Sequence, residues 1–164
     1  MITDVGEYIV GAYLRLVLNC DFIEYNVRPP GGGLEGLGEL DVLGLDFKNN
    51  KAYLCEVTTH ISGLQIGKNY ESTVIKIAQK HQRQIKYAEE NLKQFEKIHY
   101  MYWSPVVSKG GLLKGLENIE GFELYINGKY KKCIEELRQL AAKKTHDAKN
   151  PFFRMLQIME HLRD

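Results

Sequence analysis

Two short runs in the first third of the chain, Glu39-Leu40-Asp41 and Glu56-Val57-Thr58, place acidic side chains where β-strands would project them together. Alternate residues of a strand share a face, so Glu39 and Asp41 point one way from the first run, and Glu56 and Thr58 one way from the second. Where the two faces coincide, three carboxylates meet. Carboxylates inside an otherwise apolar sheet are costly unless they pair or hold a cation, and hard oxygen ligands of this kind favour Mg2+ or Mn2+. The competing reading is strand-end acids that meet solvent or basic partners. Nucleophilic chemistry is not signalled. Ser104 and Ser108 lack a base at a recognisable spacing, His60 reads as a polar loop histidine, and Cys20, Cys55 and Cys133 are odd in number, far apart and best read as reduced core thiols.

The formal net charge of +1 conceals an asymmetry that bears on this cluster. Residues 1–60 carry nine acidic groups against four basic ones, and the remainder reverses the balance. Between positions 68 and 86, Lys68, Lys76, Lys80, Arg83 and Lys86 face only Glu71, and a second basic cluster runs from Lys129 to Lys144. An acidic pocket beside basic helices suits a metal-assisted reaction on a polyanion, although basic helix faces also serve as solvated surface.

The elements that must position these groups follow from periodicity. Asp4 caps a helix with apolar residues at Val5, Tyr8, Ile9, Ala12, Tyr13 and Leu16, ending near Asn19. Phe22 to Val27 reads as a strand that stops at Arg28-Pro29-Pro30, and Gly31 to Gly38 as a flexible flap or linker. Glu39 to Leu45 and Ala52 to Thr58 flank an Asn49-Asn50 turn and form a hairpin. A long amphipathic helix spans Ser72 to Phe95, followed by a strand from Ile98 to Trp103. Ser108 to Gly121 reads as glycine-punctuated loop, Phe122 to Ile126 as a short strand, Tyr130 to Lys144 as a helix, and Asn150-Pro151 as the start of a last one. At 164 residues, 44% of them hydrophobic, the chain is expected to be one domain, 1–164, with a C-terminal helical extension over about 145–164. No apolar stretch is long enough to span a bilayer and no signal-peptide pattern is present, so a cytoplasmic protein without a membrane partner is expected.

Gly6-Glu7 on the first helix, Asn26-Val27-Arg28, Gly38-Glu39-Leu40-Asp41-Val42-Leu43, the hairpin turn and Leu54-Cys55-Glu56-Val57 together resemble the PD-(D/E)xK nuclease superfamily. The nearest likeness is to its Holliday junction resolvase branch, over about the first 100 residues. The resemblance implies an α/β, restriction-endonuclease-like fold, a mixed central β-sheet flanked by helices. It also implies Mg2+- or Mn2+-dependent cleavage of DNA. Glu7, Asp41 and Glu56 match the family's acidic positions, Glu39 matches the extra acid of its Gly-Glu-x-Asp variant, and the Val57 carbonyl would complete the metal shell beside Asp41, Glu56 and Glu39.

One position departs from that pattern. The family's lysine falls at Thr58, whose hydroxyl supplies no positive charge to a developing phosphorane. Some members supply the cation from the following helix. At about 100° per residue, Lys76, Lys80, Gln84 and Tyr87 form one row beside the apolar stripe, and Lys80 is the first choice, Lys76 the second. Gln84 and Tyr87 also resemble, at spacing one residue shorter, the glutamine-tyrosine motif of the RecB-like branch. Arg28, Lys68, Arg83, Gln84 and Lys86 are then expected to contact the nucleic-acid backbone, and the apolar stripe of the last helix reads either as core or as a homodimer contact. The alternative is a catalytically degenerate nucleic-acid-binding or interaction module of the same fold.

Overall fold

The computed structural model describes residues 2–28 and 38–163. Apart from Gly38, the glycine-rich stretch expected to act as a flap lies outside them. The described chain forms five helices and five strands, α1 Val5–Leu16, β1 Phe22–Val27, β2 Leu40–Asp46, β3 Lys51–Val57, α2 Tyr70–Asn91, β4 Lys97–Ser104, α3 Gly111–Glu117, β5 Glu123–Ile126, α4 Asn127–Lys143 and α5 Pro151–His161. The strands make one sheet in the order β1-β2-β3-β4-β5. The first three pair antiparallel and the last two join in parallel, each parallel step needing a helical crossover, supplied by α2 and α3. The fold is thus α/β, with a mixed five-stranded sheet between helices.

Strand alternation divides the core. Val42, Tyr53, Cys55, Met101 and Trp103 turn to α1, α4 and α5, where Val10, Leu14, Leu137 and Phe153 are wholly buried. Leu43, Ala52 and Leu54 turn to the opposite face and meet Ala88, Leu92 and Phe95 from α2 and the loop after it. Further along that face, Tyr102 meets Ile77, Leu112, Leu116 and Phe122. The cysteines are free and buried, in keeping with core thiols. No helix among the described residues is long and apolar enough to cross a membrane.

One reading needs correction. The stretch Ser108 to Gly121 contains α3, because its glycines serve close helix packing. A Cβ on Gly111 would lie 2.7 Å from the Tyr70 ring, and one on Gly115 would lie 2.6 Å from Val74 Cγ2, while Leu112 and Leu116 fill the space behind. The C-terminal segment packs against the rest of the chain. Phe153 and Leu156 belong to the core, Asn150 Nδ2 donates to the Tyr8 carbonyl on α1 at 2.9 Å, and Gln157 Nε2 donates to the Lys144 and His146 carbonyls. Met155, Ile158 and Met159 on the outer face of α5, with Leu162 just after it, form an exposed apolar row.

Candidate active site

The β2–β3 register pairs Leu43 with Leu54 and Val42 with Cys55, so one further step sets Asp41 opposite Glu56 on the face covered by α2. Asp41 Oδ2 accepts the Val57 N–H at 2.7 Å, which fixes this carboxyl over the end of β3. Glu56 has no solvent exposure, and α2 brings the Lys80 ammonium to 2.6 Å from its Oε2. Its other oxygen, Oε1, is buried without a hydrogen-bond partner among the described residues. Burial, and then the adjacent Asp41 carboxylate, push the Glu56 pKa up to about 8 against the opposing pull of Lys80. Burial works against the Lys80 charge, but the Glu56 and Asp41 carboxylates more than offset it and raise that pKa above the ordinary lysine value. Two carboxyls and one ammonium therefore share a desolvated corner.

Glu7 approaches this corner from the other side of the sheet end. It closes the α1 capping box, with Oε2 accepting the Asp4 N–H at 2.9 Å and the Asn26 Nδ2 at 3.3 Å. Asn26 reaches it by adopting a left-handed conformation, φ 54°, within β1. Burial raises the Glu7 pKa, and the charge of Asp41 adds to the rise. Glu7 is thus electrostatically coupled to the cluster while also holding the helix end.

The position of the absent lysine is occupied by hydroxyls. Thr58 Oγ1 donates to Ser104 Oγ at 2.9 Å, and because its only hydrogen is spent there, the Tyr102 hydroxyl 2.9 Å away must be the donor to it. Tyr102 and Ser104 have no solvent exposure, and burial raises the Tyr102 pKa far out of the physiological range. Tyr102 carries no sequence signal of its own, and Ser104, weighed above only as a nucleophile, serves instead as a hydroxyl partner of Thr58. What would have found Tyr102 is the parallel pairing of β3 with β4, which sets it beside Glu56.

Other expected site residues lie elsewhere. Lys76 donates to the Ile66 carbonyl at 2.6 Å and ties the loop before α2 to the helix. Glu39 forms a 2.7 Å ion pair with Arg28, its neighbour across β1 and β2, so its charge is answered there. Gln84 is wholly buried and cannot face a nucleic acid. Its Nε2 donates to the Leu54 and Met101 carbonyls at 3.0 and 3.2 Å, and its Oε1 lies 3.3 Å from His81 Nδ1, clamping α2 to β3 and β4. His81, stacked on Phe122, reaches the Glu120 carbonyl at 3.0 Å. His60 Nδ1 accepts the Gln65 N–H at 3.3 Å within its own loop. Lys68, Arg83 and Lys86 are exposed.

No protein-family model and no curated protein sequence matches the chain.

Among the described residues no three histidine, cysteine or acidic side chains converge tightly enough to hold a metal ion by themselves. Mg2+, however, is commonly held by one or two carboxylates, with water and substrate phosphate filling the remaining positions. Asp41 and Glu56 fit that pattern. The buried Oε1 of Glu56 lacks a partner among the described residues, and a divalent cation taking the place of the carboxyl proton would answer it.

Proposed function

We propose that this protein is a divalent-metal-dependent DNA endonuclease of PD-(D/E)xK type, hydrolysing phosphodiester bonds in branched or otherwise structured DNA. The observation that carries the reading is the meeting of Asp41, Glu56 and Lys80 at the end of the β2–β3 pair, with Lys80 Nζ 2.6 Å from Glu56 although the strand position of the family lysine is Thr58. Asp41, Glu56 and the Val57 carbonyl would hold Mg2+ or Mn2+, which when bound lowers the pKa of a water and neutralises phosphate charge. Lys80, kept charged by the two carboxylates, supports the negative charge that grows on the phosphate as it is attacked. Glu7 orients water beside Asp41. Lys68, Arg83 and Lys86 hold the backbone without reading sequence, and the exposed row of α5 is the face through which a homodimer would form.

The second reading, a non-catalytic DNA-binding module, draws on the lack of a three-ligand cluster and on a Lys80–Glu56 pair that could be purely structural. Purified protein incubated with branched, single-stranded and duplex DNA and Mg2+ or Mn2+ separates the two. Cleavage that disappears in Asp41→Ala and in Lys80→Met supports the enzyme. Binding that weakens with salt and persists in all variants, without metal-dependent cleavage, supports the module.

A further inference from the structure

One to two turns beyond Lys80, the same helix carries a cavity of about 190 Å3 lined by Arg83, Lys86, Tyr87, Glu90 and Gly38. Sites for whole drug-sized ligands begin at roughly 300 Å3, so this one takes a single flat ring system and not a length of chain. Its walls combine an aromatic ring, two cations and one carboxylate. That set suits a nucleotide: the ring stacks a base, the cations hold the phosphates on either side, and the carboxylate accepts from an exocyclic amine. An intact duplex, with its bases paired and stacked inside, uses the cations alone and has no use for the aromatic wall.

The location relates the cavity to the cluster. At 1.5 Å per residue, Tyr87 stands about 10 Å along α2 from Lys80, within reach of the next nucleotide of an extended strand. Arg83 lies between them, close enough for its charge to act on Lys80. The opposite wall, Gly38, precedes the Glu39-Leu40-Asp41 run and has a positive φ of 78°. Lys86 and Glu90 are only loosely paired, at 4.0 Å and largely exposed, which leaves both able to turn toward a ligand.

We infer that this cavity receives an unpaired nucleobase next to the phosphate held at Lys80, so that the substrate is single-stranded or locally opened DNA. The inference rests on the nuclease reading for its reaction but has its own binding test. Trideoxycytidylate, whose base carries the exocyclic amine, and the same trinucleotide with an abasic central residue are titrated calorimetrically into the Asp41→Ala protein, which keeps the cavity and is expected not to cleave. The intact trinucleotide binds about 5- to 150-fold more tightly than the abasic one, the span expected for one stacked base. Tyr87→Leu removes that preference, and Arg83→Gln, an exposed change that leaves packing intact, weakens both ligands equally. Equal affinity for the two trinucleotides overturns the inference, as does an Arg83→Gln protein that binds both as the parent does. With wild-type protein and Mg2+, cutting intact duplex as fast as single strands also overturns it while leaving the nuclease reading in place. A base preference without metal-dependent cleavage of any strand upholds the cavity and removes the nuclease.

Discussion

Replacing Glu56 with glutamine tests the electrostatics of the cluster without reference to any substrate. The Glu56 pKa stands at about 8 in the folded protein against an ordinary 4.5, because the side chain is wholly buried and faces Asp41. Between those two values the folded chain retains a proton that the unfolded chain has released. Stability from this group is complete below about pH 4.5 and is lost as pH rises toward 8, since unfolding then releases a proton. The slope cannot exceed about 1.4 kcal/mol per pH unit for one proton, which accumulates to a few kcal/mol, on the order of magnitude, from pH 5 to 8. Glutamine copies the protonated form in shape and charge and still accepts from Lys80 through its amide oxygen. Glu56→Gln is therefore expected to match the parent near pH 5 and to exceed it increasingly toward pH 8. Lys80 titrates above this window, and the raised pKa of Glu7, which acts in the same direction, is common to both proteins and cancels in the difference. Urea unfolding followed by fluorescence of the buried Trp103 at several pH values measures it. A stability difference between variant and parent that is flat from pH 5 to 8 refutes the reasoning.

Lys80→Met leaves the Asp41 and Glu56 carboxyls without their ammonium. Breaking a buried pair costs about 3–5 kcal/mol, and because the Lys80 side chain is 26% exposed the expected loss lies at or below the lower end, seen as a Tm fall of about 5–10 °C that Glu56→Gln in the same chain largely reverses. Gln84→Glu presents carboxylate oxygen to two carbonyls where an amide N–H now stands, so it should lower Tm more than Gln84→Leu, which removes the amide from those carbonyls and from His81 Nδ1 but places no charge among them. Truncation after Lys144 removes Phe153, whose replacement by alanine alone is worth about 3–5 kcal/mol, and circular dichroism should show loss of the cooperative transition.

The strands and long helices were legible because their signals are local. Asp4 with Glu7 at the third helical position announces a capping box, Asn150 before Pro151 announces a helix start, and apolar, β-branched and aromatic runs bounded by turn residues mark β1 to β3. The glycines of α3 were read as breakers since packing against Tyr70 and Val74, which tolerates no side chain there, is visible only once α2 and α3 are adjacent. Asp41 opposite Glu56 followed from alternation plus a hairpin. Tyr102 and Ser104 depended on the parallel β3–β4 ladder, a long-range pairing without a local signature. Gln84 was placed on the right helix row but given an exposed partner, because a polar residue beside lysines looks like surface until the carbonyls beneath it are known.

The placement of Lys80 follows from two spacings that nearly agree. Gln84 is tied to the Leu54 carbonyl, and Lys80 to the Glu56 side chain. Four residues of helix rise about 6 Å and two residues of strand about 6.6 Å, so a helix running opposite to β3 and clamped at Gln84 sets residue 80 over residue 56 without strain. A lysine at position 58 would have to run its stem among Tyr102 and Ser104, both fully buried and bonded to the Thr58 hydroxyl. The hydroxyl cluster and the helical lysine are thus two halves of one arrangement. The sheet end is closed by short polar groups that answer one another, and the charge opposite the carboxylates arrives instead from α2, at a height that the buried amide of Gln84 determines.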